Sequence, residues 1–118
     1  MFDPKYQFIC VDRFLNYVKY DTQSDDNATT FPSTSKQKIL SQALADELKQ
    51  LGLTDAHMDE NGYVIATLPS NVDKEVPVIG FISHVDTSPA VSGENVNPII
   101  HKNYQGGDIV LPKDDQII

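Results

Sequence analysis

Hydrophobic residues near the start of the chain recur with the period of a helix. Those at i, i+3, i+4 and i+7 are Val11, Phe14, Leu15 and Val18. This spacing puts them on one helical face, and we predict a helix over about 5–20. Asp3 followed by Pro4 has the residue types that favour an N-cap and the first helical position, so the helix is expected to begin there.

A second helical repeat follows a polar loop that covers residues 21–33. Its apolar positions are Leu40, Ala43, Leu44, Leu48 and Leu51. Thr34 and Gln37 have the spacing of a capping box at the helix start. Gly52 is well placed as the C′ residue that closes the helix. We therefore predict a second helix over about 34–51.

Beyond Gly52 the pattern changes to that of strands. Residues around Ala56 and Met58 predict a short strand, and 63–68 predict the strand that returns. Asn61-Gly62 between them is a strong signal for a type I′ hairpin turn. The sequence therefore predicts an antiparallel hairpin directly after the second helix.

The most apolar segment, 76–83, reads Val-Pro-Val-Ile-Gly-Phe-Ile-Ser. Such a run is typical of a strand buried on both faces in the middle of a sheet, and 108–111 could add one more strand. Two helices, a hairpin and a central strand predict an α/β or α+β fold in which helices and a sheet form layers, and we expect the α/β class.

The candidate chemistry lies where this central strand ends, at His84 and Asp86. Side chains alternate along extended backbone, so both should point to the same side. A carboxylate in that place can hold an imidazole in one tautomer and raise its basicity toward a metal. Two alternatives stay open. His84 could be a strand-end histidine bonded to backbone, and Asp86 could be an N-cap or Asx-turn residue.

The other titratable residues have simpler interpretations. His57 is expected on the solvent side of the hairpin, and His101 could sit in an exposed strand. A metal pair of His84 with His101 is conceivable, although their spacing does not favour it. Structural roles in turns, loops and an exposed acidic end are expected for Asp59-Glu60, Asp25-Asp26 and Asp114-Asp115. Gly106-Gly107 follow no apolar strand and open no helix, so the sequence gives only weak support for a phosphate-binding role.

Composition narrows the class of protein. The chain has 118 residues, 40% of them hydrophobic and 22% charged, with a net charge of −8. This acidic balance argues against a nucleic-acid partner, which needs clustered Lys and Arg. The single cysteine, Cys10, rules out an intrachain disulfide and is expected to be a small buried hydrophobe. No signal peptide or membrane-spanning run is recognisable, so we expect a cytoplasmic protein without a membrane partner.

The stretch 80–89, GFISHVDTSP, resembles the peptidase T family, the tripeptide aminopeptidases among the co-catalytic zinc metallopeptidases. The resemblance extends over nearly the whole chain. It includes Arg13–Tyr17 with Asp21–Ser24, Pro32–Thr34, Gly62–Pro69, Ser92–Pro98 and Asn103–Ile109.

The resemblance implies an enzyme that releases the N-terminal residue of a tripeptide substrate with two zinc ions bridged by a water. By position, His84 matches the first metal ligand, and Asp86 matches the active-site carboxylate that orients it. The family's further parts include a bridging Asp and a Glu-Glu pair, and this chain contains no Glu-Glu dipeptide. Asp114-Asp115 lacks the Gly and Ala residues that surround the bridging Asp, so that role is not transferred.

We therefore expect residues 1–118 to be the N-terminal portion of an α/β/α catalytic domain that lacks the family's lid domain. Alone, such a fragment should be inactive, bind zinc weakly and associate with itself through uncovered apolar surface. One alternative is a non-catalytic binding module that has kept the fold. Another is a related amidohydrolase that acts on acylated amino acids.

Overall fold

The computed structural model describes residues 9–111, which contain two helices and one two-stranded antiparallel sheet. The elements are α1 (Cys10–Tyr17), α2 (Gln37–Gln50), β1 (His57–Met58) and β2 (Val64–Ile65). This is a mixture of helix and sheet, as the sequence predicts. The predicted helix start at Asp3-Pro4 and the acidic pair Asp114-Asp115 lie outside the described residues.

The end of α2 is set by Gly52, as predicted. Its φ of +96° is a left-handed conformation that glycine adopts without a steric penalty. The N–H of Gly52 donates to the carbonyl of Lys49 at 2.9 Å, and the N–H of Leu53 donates to that of Leu48 at 3.1 Å. These two bonds form a Schellman motif, which satisfies carbonyls that the last helical turn leaves free.

The predicted capping box at the start of α2 is wrong. The Thr34 hydroxyl donates to the carbonyl of Gln23 at 2.8 Å, in the preceding loop. The Gln37 side chain donates to the Ser33 hydroxyl at 3.0 Å. The N-cap of α2 is Lys36, which makes no side-chain capping bond. Gln37 therefore ties α2 to the residues before it, and Thr34 ties those residues to the Gln23 loop.

The hairpin forms where predicted, but its turn differs from the predicted type I′. That type needs a positive φ at both central residues. Gly62 has a φ of +88°, whereas Asn61 is not among the residues with positive φ. The carboxylate of Asp59 accepts the N–H groups of Asn61 at 2.9 Å and of Tyr63 at 2.8 Å. Asp59 thus organises a longer turn, which agrees with the turn role expected for Asp59-Glu60.

The small core lies between α2 and the hairpin. Its buried apolar side chains are Leu40 and Ala45 on α2 and Ala56 beside β1. The ladder pairs His57 with Ile65 and Met58 with Val64. The buried side chains lie where α2 packs against both strands of the hairpin.

Helix α1 contacts α2 through polar side chains. Tyr17 donates to Glu47 at 2.5 Å, and the Arg13 guanidinium lies 2.5 Å from the same carboxylate. No residue of α1 is buried. Cys10 is exposed, so the expected burial of this thiol is wrong. Among the described residues, the sheet does not cover the apolar face of α1, where Val11 and Phe14 are exposed.

The predicted central strand over 76–83 is also wrong for this chain. These residues belong to no strand, and Val78, Phe81 and Ile82 are 98%, 95% and 100% exposed. A central strand needs a hydrogen-bonded neighbour on each side and a helix over each face. Within the described residues the only sheet is the short hairpin, so the run has the sequence of a buried strand but no neighbours.

Several aromatic side chains lie on the surface and not in the core. The exposed ones are Phe14, Phe31, Tyr63, Phe81 and Tyr104. No helix within 9–111 has the length and apolar character needed to cross a bilayer.

Candidate functional site

The site begins at a contact between two loops that are distant in sequence. Gln23 and Thr87 form an isolated parallel bridge. The N–H of Thr87 donates to the Thr22 carbonyl at 3.1 Å, and the N–H of Ser24 donates to the Thr87 carbonyl at 2.9 Å. Because Thr87 directly follows Asp86, this bridge fixes the backbone at the end of the apolar run.

Two further interactions strengthen the bridge. The Gln23 side-chain amide donates to the carbonyls of Pro89 at 3.0 Å and Val91 at 3.1 Å. The chain then passes so close to the first loop that a Cβ on Gly93 would lie 2.7 Å from an Asp21 carboxylate oxygen. Gly93 therefore permits the close approach of the two loops.

The carboxylate of Asp21 supports this loop pair electrostatically. It lies 2.7 Å from the Lys36 ammonium and accepts the N–H of Gln23 at 3.1 Å. The hydrogen bond from Lys36, with the smaller contribution of the Gln23 N–H, lowers the pKa of the Asp21 carboxyl below its ordinary value. The carboxylate is therefore held in its charged form next to the bridge.

His84 and Asp86 lie immediately before the bridge, and their side chains meet. The His84 Nδ1 is 3.1 Å from Asp86 Oδ1 and 3.0 Å from the Asp86 carbonyl oxygen. Both neighbours are acceptors, so this geometry assigns the ring proton to Nδ1 and leaves Nε2 with a free lone pair. The arrangement combines the two interpretations of His84 from the sequence, a backbone contact and a carboxylate contact.

The pair is open to solvent. The His84 side chain is 84% exposed and that of Asp86 48% exposed. Both residues line an open groove of about 1450 Å³ between the two helices, the hairpin and the segment around Phe81. The His84 ring is therefore accessible to a ligand without any rearrangement of the chain.

His84 can supply one ligand atom to a metal, but one ligand does not make a metal site. Catalytic zinc in proteins usually has three protein ligands. Within residues 9–111, no group of three or more His, Cys, Asp or Glu residues could hold a metal ion. The described residues therefore do not fit a complete zinc centre, and a pair of metals would need donors from elsewhere.

The other candidate residues take no part in this cluster. His57 is exposed on β1, as expected, with its Nδ1 2.8 Å from the Asp55 carbonyl. His101 is exposed but belongs to no strand, contrary to expectation. Gly106 and Gly107 both have a positive φ, 97° and 106°, in an exposed turn that opens no helix.

The sequence interpretation missed the residues that hold the site in place. The composition of 21–33 predicts only a polar loop and gives Gln23 no special role. Its side chain bonds to backbone 66 and 68 residues away, a separation that no local pattern reveals. The one available signal was the resemblance of both loops to the same family.

No protein-family model matches the chain. Several curated proteins, however, are similar to it in sequence. Peptidase T of Clostridium acetobutylicum and of Halothermothrix orenii are each 59% identical to it over 108 residues, which is 92% of this chain. Peptidase T of Geobacillus kaustophilus is 55% identical over the same length.

In each case the match covers 26% of the relative, so the chain spans about a quarter of the length of the curated proteins it matches. The resemblance predicted from the sequence motifs is thereby confirmed, and the short coverage is consistent with a fragment. By sequence, the chain is similar to about a quarter of the length of peptidase T.

Proposed function

We propose that the chain is part of a zinc-dependent tripeptide aminopeptidase and contributes His84 and Asp86 to its active site. The observation that supports this most strongly is the 59% identity to peptidase T over 92% of the chain. The name of the relatives indicates a peptidase, a hydrolase. Tripeptide substrate, zinc and release of the N-terminal residue are the finer parts of the proposal.

The geometry at His84 is compatible with the proposed role. Asp86 holds the ring through Nδ1 and leaves Nε2 directed away from that contact, available as a donor. In metal sites, a carboxylate behind a ligating imidazole fixes its tautomer and raises its basicity. We propose His84 as the metal ligand and Asp86 as the residue that orients it.

Zinc, when bound in a complete site, would lower the pKa of a water and polarise the scissile carbonyl. The His84 imidazole alone cannot hold two metals. The other ligands and the general base would come from the remainder of a longer protein, which would complete the catalytic domain begun by residues 1–118 and carry the lid domain. The isolated chain is therefore proposed to be inactive.

The test is a chimera in which the chain replaces the matching segment of the Clostridium acetobutylicum enzyme. We expect the purified chimera to hydrolyse a tripeptide, and the 118-residue chain alone to show no turnover. His84→Ala in the chimera should lower kcat/KM by at least about 10³-fold, since loss of a metal ligand removes the metal-bound water.

His57→Ala and His101→Ala are matched controls, because both histidines are exposed and lie outside the cluster. They should leave the chimera's activity unchanged. A chimera that folds, judged by circular dichroism, but lacks activity would contradict the proposal and favour the non-catalytic binding module. Hydrolysis of an acylated amino acid in place of the tripeptide would favour the related amidohydrolase.

The proposal also covers the binding partners of the chain and its cellular compartment. The net charge of −8 is unfavourable for nucleic-acid binding, and a tripeptide is the proposed small-molecule partner. A cytoplasmic location stays a prediction from the sequence.

A further inference from the structure

We infer that Gln23 is a positioning residue for the His84–Asp86 pair. It lies on a loop more than sixty residues away in sequence, and among the described residues its side-chain amide bonds to backbone carbonyls rather than to either side chain of the pair. Its side-chain amide binds the carbonyls of Pro89 and Val91 and so closes the chain around the bridge at Thr87.

The bridge is the point where the pair is anchored. Among the described residues, the hydrogen bonds of 76–86 stay within that segment: Ser83 to the His84 carbonyl, and the His84–Asp86 contacts. The next residue, Thr87, is the first to bond to another part of the fold, through Thr22 and Ser24. The orientation of Asp86 therefore depends on Thr87 being held.

Gln23 combines two functions in this anchor. Its backbone lies at the centre of the parallel bridge, and its side chain satisfies two carbonyls of the loop that leaves Thr87. Backbone carbonyls in an irregular loop need such donors, because no regular ladder supplies them. Without the amide, the 87–93 loop loses both side-chain bonds from Gln23, and Asp86 loses a fixed backbone on its C-terminal side.

The inference rests on the proposed function only in treating His84 and Asp86 as a site. Its test therefore uses the 118-residue chain itself and requires no substrate and no metal. If the proposed peptidase activity fails, the result of this test is unaffected. If positioning fails, the chimera experiment can still succeed.

The experiment compares Gln23→Ala with the unaltered chain by nuclear magnetic resonance at alkaline pH, where imidazole rings are neutral. One readout is hydrogen exchange at the amides of Thr87 and Ser24. The other is the ¹⁵N shift of both His84 ring nitrogens, which reports the tautomer. We expect exchange at both amides to become at least about tenfold faster, the effect of losing about one hydrogen bond. We expect the His84 ring to change from the Nδ1–H form to a mixture of tautomers.

Gln42→Ala is the matched control. Gln42 is an exposed glutamine on α2 whose amide bonds to Asp46 one turn away. Its replacement should change neither the bridge amides nor the His84 ring. Faster exchange at Thr87 with an unchanged His84 tautomer would reduce Gln23 to a structural role in its loop and overturn the inference. Unchanged exchange would overturn it as well.

Gly93→Ala provides a second, independent disturbance if Gln23→Ala does not fold. The added Cβ would lie 2.7 Å from the Asp21 carboxylate, whose Oδ1 accepts the Gln23 N–H. It should therefore displace the same loop and give the same two changes. Gly80→Ala, where a Cβ meets nothing within 4 Å, should give neither. An unchanged His84 ring in Gly93→Ala would also contradict positioning.

Discussion

The Tyr17 hydroxyl of α1 donates a hydrogen bond of 2.5 Å to the Glu47 carboxylate of α2. Arg13 lies 2.5 Å from the other oxygen of that carboxylate, so one acidic side chain joins two residues of α1 to α2. No residue of α1 is buried, and these polar contacts therefore carry much of its attachment. Partial burial, which removes some of the water around the phenol, followed by the hydrogen bond and the charge of Glu47, raises the pKa of Tyr17 to about 12.

Tyr17→Phe should lower the free energy of unfolding by about 1 kcal/mol near neutral pH, the typical net value of such a bond. The folded pKa lies above the unfolded value of 10.0, so the stabilisation is complete below pH 10 and is lost as the pH rises toward 12. The difference between the two proteins in urea unfolding should therefore shrink over that interval. Tyr63→Phe, at an exposed ring, is the control. A difference that stays constant to pH 12 would contradict the assigned pKa.

Features that depend on nearby residues could be predicted from the sequence. Gly52 was identified as the helix end because the αL requirement is local. The spacing of His84 and Asp86 predicts that their side chains point to the same side of an extended chain, and the two side chains do meet. The hairpin was located correctly, but its turn type was not, because the Asp59 carboxylate binds the turn N–H groups.

Features that depend on distant partners could not be predicted. The run 76–83 has the composition of a buried strand, but burial requires neighbouring strands, and the described residues provide none. The contacts of Gln23 join residues 66 and 68 positions apart, so no periodic pattern in the sequence could predict them. The spacing of Thr34 and Gln37 predicts a capping box, but the Thr34 hydroxyl donates to the carbonyl of Gln23 in the preceding loop.

Gly52→Ala should destabilise the fold by about 1 kcal/mol through backbone strain alone. A Cβ at this position meets nothing within 4 Å, so no steric clash contributes, whereas the φ of +96° is unfavourable for alanine. Gly80→Ala is the control, because its Cβ is equally free and its φ is not positive. The midpoint of urea unfolding should fall for the first variant and hardly move for the second. Equal midpoints would show that the last turn of α2 relaxes without cost.

Acid should weaken the loop pair around Asp21. The folded pKa of this carboxyl is below its ordinary 3.8, so its contribution to stability is present above pH 3.8 and is lost as the pH falls through the folded value. Asp21→Asn should therefore flatten the fall in the thermal midpoint below pH 3.8. Asp26→Asn, an exposed carboxylate on the same loop, should leave the profile as it is. Identical profiles for both variants would show that Asp21 does not contribute to the loss of stability in acid.

The uncovered run around Phe81 and Ile82 should make the isolated chain associate with itself. These side chains are 95% and 100% exposed, and contiguous apolar surface with unpaired backbone favours edge-to-edge pairing. In sedimentation experiments the average mass should rise with concentration, and Phe81→Lys or Ile82→Lys should shift this rise to higher concentration. Leu68→Lys, at a residue 83% exposed outside the run, should not. A strict monomer at every concentration, or equal effects of all three lysines, would show that the run is not the contact surface.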